Sequence, residues 1–217
     1  MGSRDRPAGR AIARPLLIEP PAPPYRTHEI HPRVFTPRQC DRIVALGTEL
    51  VSAEALLEGG DGDEVHDVEL RRSRTAWIAP DDNTWWIFEK LASLVEKVNR
   101  RYGFELTGFG EDLQFTTYDG PGSFYSWHQD GLDGEVATRK LSFVVQLSAE
   151  DDYDGGELQL FDVVEDYDRE ELAAFTELTR ERGTVVAFPS FEYHRVLPMR
   201  RGCRHSLVAW VSGPPFR

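Results

Sequence analysis

The pattern of apolar and polar positions divides the chain into a helical first half and a strand-rich second half. Thr36-Pro37 is typical of a helix start, with Thr36 as the N-cap and Pro37 at the first helical position. A second helix, with a clear apolar stripe, is predicted from about Asp82 to Gly103. Between the two helices, residues 71–78 alternate as a strand does, which predicts a β segment there.

From about residue 113 the pattern changes to short strands separated by turn-forming residues. Turns are predicted at Asp154-Gly155-Gly156, at Pro189-Ser190 and at Arg200-Arg201-Gly202. The acidic stretch 162–183 interrupts the strands and is predicted to be an inserted helix. Helices followed by many short strands indicate a mainly β fold with flanking helices (α+β). We expect a double-stranded β-helix, the jelly roll of cupin-like proteins, buttressed by N-terminal helices.

The composition is typical of one globular domain. The 217 residues are 40% hydrophobic and 29% charged, which is enough apolar material for a single well-packed core. Residues 1–24 are rich in proline and are predicted to form a flexible tail. Residues 25–217 are predicted to be a single domain, with a helical buttress over about 36–103 and a jelly-roll core over about 112–213.

Charge and cysteine content exclude several classes of partner. The chain has 25 basic and 37 acidic residues, a net charge of −12, which repels nucleic-acid backbones and anionic membrane surfaces. An apolar stretch of about 18 residues, as a membrane span requires, does not occur. Neither nucleic acid nor a membrane is therefore an expected partner. Two lone cysteines, Cys40 and Cys203, indicate a reducing cytoplasm.

Two of the six histidines stand in a context that favours metal binding. His128-Gln129-Asp130 lies on a predicted strand, where residues i and i+2 project from one face about 6–7 Å apart. His194 begins a later strand. Two imidazoles and one carboxylate with open positions are typical of non-haem Fe(II) oxygenases, although zinc hydrolases use similar ligands. The other histidines are interpreted as surface or core groups: His28, His31, His66 and His205.

Arg204 is a candidate for binding a carboxylate. It follows His194 by ten residues and shares a strand face with Ser206, Val208 and Trp210, while Leu207, Ala209 and Val211 occupy the other face. A guanidinium and a hydroxyl two residues apart can hold a buried carboxylate, which arginine binds with two parallel hydrogen bonds. Burying an arginine on this strand without an anionic partner is costly, so Arg204 is predicted to bind an anion.

Residues from about 112 to 213 resemble the 2-oxoglutarate/Fe(II) oxygenases of the prolyl-hydroxylase-like branch. The resemblance rests on six ordered motifs: His128-Gln129-Asp130, Asp154-Gly155-Gly156-Glu157-Leu158, Gly183-Thr184, Phe188-Pro189, His194, and Gly202-Cys203-Arg204-His205-Ser206 with Trp210. It implies that His128, Asp130 and His194 bind Fe(II) and that Arg204 binds 2-oxoglutarate. It also implies that O2 is consumed, that 2-oxoglutarate is converted to succinate and CO2, and that ascorbate is a candidate stimulating reductant.

The resemblance implies roles for further residues. Tyr118 and Ser206 correspond to co-substrate contacts, and Gln146 stands where some relatives have a tyrosine that bonds the co-substrate, so that contact is altered. The expected substrate-binding residues are Arg139, Trp210 and Tyr125.

The expected reaction is hydroxylation of an unactivated C–H of an amino acid, either free or within a peptide, with proline as a candidate. The substrate is therefore expected to be a small molecule or a peptide. Three alternatives stay open: tailoring of a natural-product intermediate, a non-catalytic sensor of 2-oxoglutarate or iron, and a zinc hydrolase. The acidic segments 53–70 and 162–182 are candidate substrate lids, and an acidic rim would favour cationic or zwitterionic substrates.

Overall fold

The structure is a computed structural model that describes residues 25–57, 70–132 and 134–216. The predicted tail, residues 1–24, lies outside the described residues. Within these ranges, every helix is too short or too polar to cross a membrane.

Two helices precede most of the strands, as the sequence predicts. Helix α1 spans Pro37–Leu57, and the backbone N–H of Gln39 donates to the Thr36 hydroxyl at 3.3 Å, which confirms Thr36 as the N-cap. Helix α2 spans Trp85–Tyr102, three residues shorter at its start than predicted. It ends at Gly103, whose φ of 66° is the left-handed conformation that glycine adopts at helix ends without steric cost.

The strands form two antiparallel sheets. The larger sheet has the order β1 (Glu29–His31), β10 (Val185–Pro189), β7 (Arg139–Gln146), β12 (Met199–Ser212), β5 (Leu113–Asp119) and β3 (Arg74–Ile78), and β4 (Gly108–Phe109) and β8 (Tyr153–Gly155) also pair with β12. The smaller sheet has the order β2 (Arg71–Arg72), β6 (Phe124–His128), β11 (His194–Val196) and β9 (Leu158–Leu160). This helix-buttressed pair of sheets confirms the predicted jelly-roll class.

The larger sheet separates the helices from the interior of the jelly roll. Alternate residues of its strands form one apolar cluster with α1 and α2, and on β12 these are Leu207, Ala209 and Val211. The residues between them face the smaller sheet. The two strand faces assigned to residues 204–211 from the sequence are therefore confirmed.

Close contact between α1 and the larger sheet depends on Gly47. A Cβ atom at this position would lie 2.2 Å from Cγ of Phe115, which is fully buried on β5. Because real carbon atoms do not approach so closely, any larger residue at position 47 would force the helix away from the sheet.

Three local predictions need correction. Residues 71–78 form two strands in different sheets, β2 and β3. The turn predicted at Arg200-Arg201-Gly202 is wrong, because this segment pairs with β8 and forms the first part of the continuous strand β12. The inserted helix is two helices, α3 (Phe161–Asp166) and α4 (Arg169–Arg180), because the Asp168 carboxylate accepts from two backbone N–H groups and starts a new helix.

Candidate metal and co-substrate site

Strand pairing in the smaller sheet brings His128 and His194 together. They are direct partners across β6 and β11, and their ring centroids are 4.1 Å apart. Each Nδ1 bonds a backbone carbonyl two residues earlier, at 2.8 Å to Ser126 and 3.0 Å to Glu192. Because a carbonyl oxygen only accepts, each Nδ1 carries the proton and each Nε2 keeps a free lone pair. Both imidazoles are thus oriented as metal ligands.

Asp130 joins the two histidines from just beyond the end of β6. Its Oδ1 lies 3.6 Å from Nε2 of His128, and its Oδ2 lies 3.5 Å from Nε2 of His194. The expectation that residues 128–130 share one strand is wrong, since β6 ends at His128. The backbone N–H of Asp130 instead donates to the carbonyl of Ser190 at 2.9 Å, and this bend turns the carboxylate toward the imidazoles.

The electrostatics of the three side chains suit a cation. Burial opposes ionisation of Asp130, but the two imidazoles and a 2.7 Å hydrogen bond from the Ser142 hydroxyl hold its pKa below the ordinary value. Burial, together with the neighbouring His194, lowers the pKa of His128 to about 3. His128 is therefore neutral over the physiological pH range, as a metal ligand must be.

The donor set fits a divalent transition metal. One ligand atom from each of His128, Asp130 and His194 lies within 4.8 Å of the other two. Two neutral imidazoles and one carboxylate suit both iron and zinc, so these three residues do not decide between the metals. All three line one cavity of about 350 Å³, so the coordination positions that they leave open face that cavity.

Arg204 brings a buried positive charge into the same cavity. It is 3% exposed, and its Nε donates to Oε1 of Gln146 at 3.0 Å. Its Nη1 is buried without a hydrogen-bond partner, and Arg204 forms no ion pair with any residue that the structure describes. A buried guanidinium with an unbonded N–H group is satisfied only when an anion in the cavity accepts that hydrogen bond.

The other predicted co-substrate residues take two different positions. Tyr118 and Ser206 line the cavity, and the guanidinium carbon of Arg204 lies 5.5 Å from the Tyr118 ring centroid. Gln146 lies behind Arg204 rather than on the cavity wall. Its amide nitrogen donates to the Ser148 carbonyl and the Tyr153 hydroxyl, both at 3.0 Å, which points its amide oxygen at Arg204. Gln146 therefore holds Arg204 in place.

Arg139, predicted to bind substrate, lines the cavity, but its charge is already paired with a carboxylate of the protein. Its Nε donates to Glu111 at 2.7 Å, its Nη2 donates to the second oxygen of Glu111, and its Nη1 donates to the backbone carbonyl of Asp130 at 3.1 Å. Its guanidinium stacks 3.7 Å from the ring centroid of Trp210, another predicted substrate residue on the cavity wall. Arg139 thus fixes the positions of Asp130 and Trp210.

Tyr125, the third predicted substrate residue, also lines the cavity and stacks on the metal-facing histidine. Its ring lies 3.5 Å from that of His128, centroid to centroid, with an interplanar angle of 15°. The sequence interpretation missed Gln114 and Thr116, although both share a strand face with Tyr118. It also missed Arg71 and Trp77, for which no sequence signal existed.

Neither candidate lid contributes a described residue to the cavity wall. Residues 58–69 of the first candidate lie outside the described residues, and no residue of the second candidate, 162–182, lines the cavity. Apart from Asp130, the charged side chains of the described wall are the arginines Arg71, Arg139 and Arg204. The acidic rim expected from the sequence is therefore absent from this part of the wall.

Comparison with known proteins agrees with this geometry. Residues 113–212 match the family model of the 2OG-Fe(II) oxygenase superfamily. A PKHD-type hydroxylase of Synechococcus sp. (strain CC9605) is 36% identical over 91 residues, which cover 42% of this chain and 37% of that protein. The chain thus aligns with well under half of that relative's length.

Solved structures share the fold. A Pseudomonas putida prolyl-4-hydroxylase superposes with a TM-score of 0.59 at 23% identity, covering 87% of this chain and 93% of the other. A Trichoplax adhaerens prolyl hydroxylase, solved in complex with a hypoxia-inducible-factor peptide fragment, gives a TM-score of 0.62 at 19% identity over 86% of this chain and 83% of the other. The predicted resemblance to 2-oxoglutarate/Fe(II) oxygenases is confirmed over residues 113–212 by the family match, with a PKHD-type hydroxylase among the similar sequences. The two prolyl hydroxylase structures confirm the jelly-roll fold.

Proposed function

We propose that the protein is an Fe(II)- and 2-oxoglutarate-dependent dioxygenase that hydroxylates an unactivated C–H of an amino acid or of a residue in a peptide. The observation that carries the proposal is one cavity that holds both a His-Asp-His cluster and a buried arginine with an unbonded Nη1. The first element suits a divalent metal, and the second suits the carboxylate of a ligand lying beside that metal.

Each group has a distinct task in this proposal. His128, Asp130 and His194 hold Fe(II), and Arg204 binds the distal carboxylate of 2-oxoglutarate with Ser206 and Tyr118 beside it. Iron held there would activate O2, with 2-oxoglutarate as the electron donor: one oxygen atom would enter succinate as CO2 leaves, and the other would enter the substrate C–H. Asp130 gives the cluster its negative charge. The buried strand faces around the cluster restrict the access of water, and this exclusion strengthens the charge interactions in the cavity.

The substrate class is the part of the proposal that rests most on relatives. The Trichoplax adhaerens enzyme was solved with a peptide, and the Synechococcus protein is named a hydroxylase. Proline, free or within a peptide, is therefore the first candidate, and ascorbate is a candidate stimulant of turnover. A natural-product intermediate is the alternative substrate, and a non-catalytic sensor is disfavoured by the complete ligand set.

The free thiols of Cys40 and Cys203 support a location in the cytoplasm.

The test is reconstitution of the full chain with Fe(II), or with Zn(II) as the matched control, followed by 2-oxoglutarate titration. We expect binding with Fe(II), and succinate formation in air that increases when a panel of amino acids and peptides is added. Mass analysis then identifies the compound that gains one oxygen atom. Failure of the iron-loaded protein to bind or consume 2-oxoglutarate would contradict the proposed function.

A further inference from the structure

The cavity contains a third arginine, Arg71, whose charge no carboxylate of the described residues balances. Arg204 faces the co-substrate position, and Arg139 is neutralised by Glu111 at 2.7 Å. Within the described part of the chain Arg71 bonds neutral oxygens, with Nε donating to the Ser73 hydroxyl at 2.6 Å and Nη2 donating to Oε1 of Gln114 at 3.2 Å. It has no carboxylate partner in the described ranges, although the chain as a whole carries a net charge of −12.

These neutral partners hold the guanidinium in a definite orientation. Its carbon lies 4.7 Å from the ring centroid of Tyr125, a distance at which a cation is attracted to an aromatic face. Nε and one proton of Nη2 are used, so Nη1 and the second proton of Nη2 form a free edge. Two adjacent N–H groups of this kind match the two oxygens of a carboxylate.

The position of Arg71 relates it to the metal cluster. The Tyr125 ring that it contacts stacks in turn on His128, with centroids 3.5 Å apart. One aromatic ring therefore separates the guanidinium from a metal-facing imidazole. A substrate can place one C–H beside the metal and an anionic group at Arg71 at the same time only if that group lies a few bonds from the C–H.

Charge balance in the loaded cavity favours the same conclusion. The two positive charges of Fe(II) and that of Arg204 offset those of Asp130 and dianionic 2-oxoglutarate. Arg71 then leaves the loaded cavity with one excess positive charge, which is costly where water is restricted. A substrate that presents only uncharged groups to Arg71 leaves this charge unpaired, whereas one that places a carboxylate there pairs with it.

We propose, resting on the oxygenase function above, that Arg71 determines substrate specificity by binding a carboxylate of the substrate a few bonds from the carbon that is hydroxylated. The α-carboxylate of a free amino acid fits this geometry, as does the terminal carboxylate of a peptide. An internal residue of a peptide chain, whose carbonyl is an uncharged amide, does not. The cavity of about 350 Å³, at the small end of ligand sites, agrees with a compact substrate beside the co-substrate.

The experiment measures binding without turnover. The full chain is loaded with Fe(II) and 2-oxoglutarate under argon and titrated calorimetrically with matched pairs: free amino acids and their primary amides, and prolyl dipeptides with a free or amidated C-terminus. We expect at least one acid to bind tenfold or more tightly than its amide. The free amino acids and the dipeptide acids distinguish the two sources of the carboxylate.

Variants then test whether Arg71 is responsible. Arg71→Gln should lose about tenfold or more in affinity for the preferred acid, as expected for hydrogen bonds to a charged group, and little for the amide. Arg71→Lys should be intermediate, because it keeps the charge but loses the planar edge. Arg72→Gln is the matched control, since it removes the same charge from an exposed side chain that does not line the cavity.

The outcomes separate this proposal from the proposed function. Affinity for 2-oxoglutarate should fall much less than affinity for the preferred acid in every Arg71 variant, because Arg204 provides the direct contact with the co-substrate. The carboxylate proposal is overturned if no acid binds the parent protein better than its amide, or if Arg72→Gln lowers the acid preference as much as Arg71→Gln. Failure of the parent to bind Fe(II) or 2-oxoglutarate would instead overturn the oxygenase function.

Discussion

The two faces of the larger sheet differ in what their residues contact: one face packs against the helices, and the other lines the cavity. On β12, Leu207 and Ala209 face the helices, while Arg204 and Ser206 face the cavity, and all four are nearly inaccessible to solvent. The outer residues are stabilised by burial and close packing alone. The inner residues are polar, and Arg204 keeps an unbonded donor. Depth of burial therefore does not distinguish core from site on β12, whereas the polarity of the side chains does.

The largest expected effect of a cavity-face substitution is that of Asp130→Ala. It removes the anionic member of the cluster and leaves two imidazoles, which are a weak anchor for a divalent ion. We expect Fe(II) affinity to fall by more than about 100-fold, beyond the loss typical of a supporting residue, and hydroxylation to disappear. Calorimetric Fe(II) titration measures this change. His31→Ala, outside the cavity, should bind iron normally, and wild-type iron binding by the Asp130 variant would refute the ligand assignment.

Phe115→Ala tests the opposite face of the same sheet. Phe115 is fully buried against α1, so its truncation should lower the free energy of unfolding by about 3–5 kcal/mol. Urea denaturation of the metal-free protein measures the loss. The folded variant should bind Fe(II) and 2-oxoglutarate within about twofold of the parent, because distant sites contribute independently. A large loss of 2-oxoglutarate affinity would show that the two faces are not separate.

Arg204→Ala should affect 2-oxoglutarate binding alone. Loss of one partner from a buried arginine–carboxylate pair costs about 2–5 kcal/mol, which corresponds to at least a roughly thirtyfold weaker affinity. Titration at saturating Fe(II) measures it, and iron affinity without co-substrate should barely change. Arg204→Lys should be intermediate, since it keeps the charge without the planar guanidinium.

Arg201→Ala is the control for Arg204, because Arg201 lies three residues earlier on β12 and is exposed. It should leave 2-oxoglutarate affinity unchanged. A larger loss in the Arg201 variant than in the Arg204 variant would mean that the register assigned to this strand is incorrect.

The smallest effect is expected for Ser142→Ala, which removes the hydroxyl that donates to Asp130 at 2.7 Å. Residues that support a metal ligand in this way typically contribute about 10–100-fold to metal affinity, and we expect the lower end because the imidazoles remain. Fe(II) titration beside Ser93→Ala, an exposed serine of α2, provides the comparison. Equal affinities in the two variants would show that Ser142 does not support Asp130.

Much of the fold was predictable because strand alternation is a local property. The two faces of residues 204–211 follow from the period of two along a strand, and Gln114 and Thr116 could have been assigned to the cavity with Tyr118 by the same rule. The turn at residues 200–202 was predicted wrongly, since a glycine such as Gly202 favours turns locally. Pairing with β8 overrides that preference, and this partner is distant in sequence.

The sequence by itself predicted the metal-binding and carboxylate-binding residues, because their types and spacing are local features: His128 lies two residues before Asp130, and His194 lies ten residues before Arg204. Only the tertiary structure decided how each cavity arginine is used. Glu111 accepts hydrogen bonds from Arg139, and Gln146 accepts one from Arg204 and so orients it. Arg71 keeps two adjacent N–H groups without a partner among the described residues. A guanidinium acts on a ligand only when the fold leaves its donors unbonded. That outcome depends on the register between strands far apart in the chain, which no local pattern encodes.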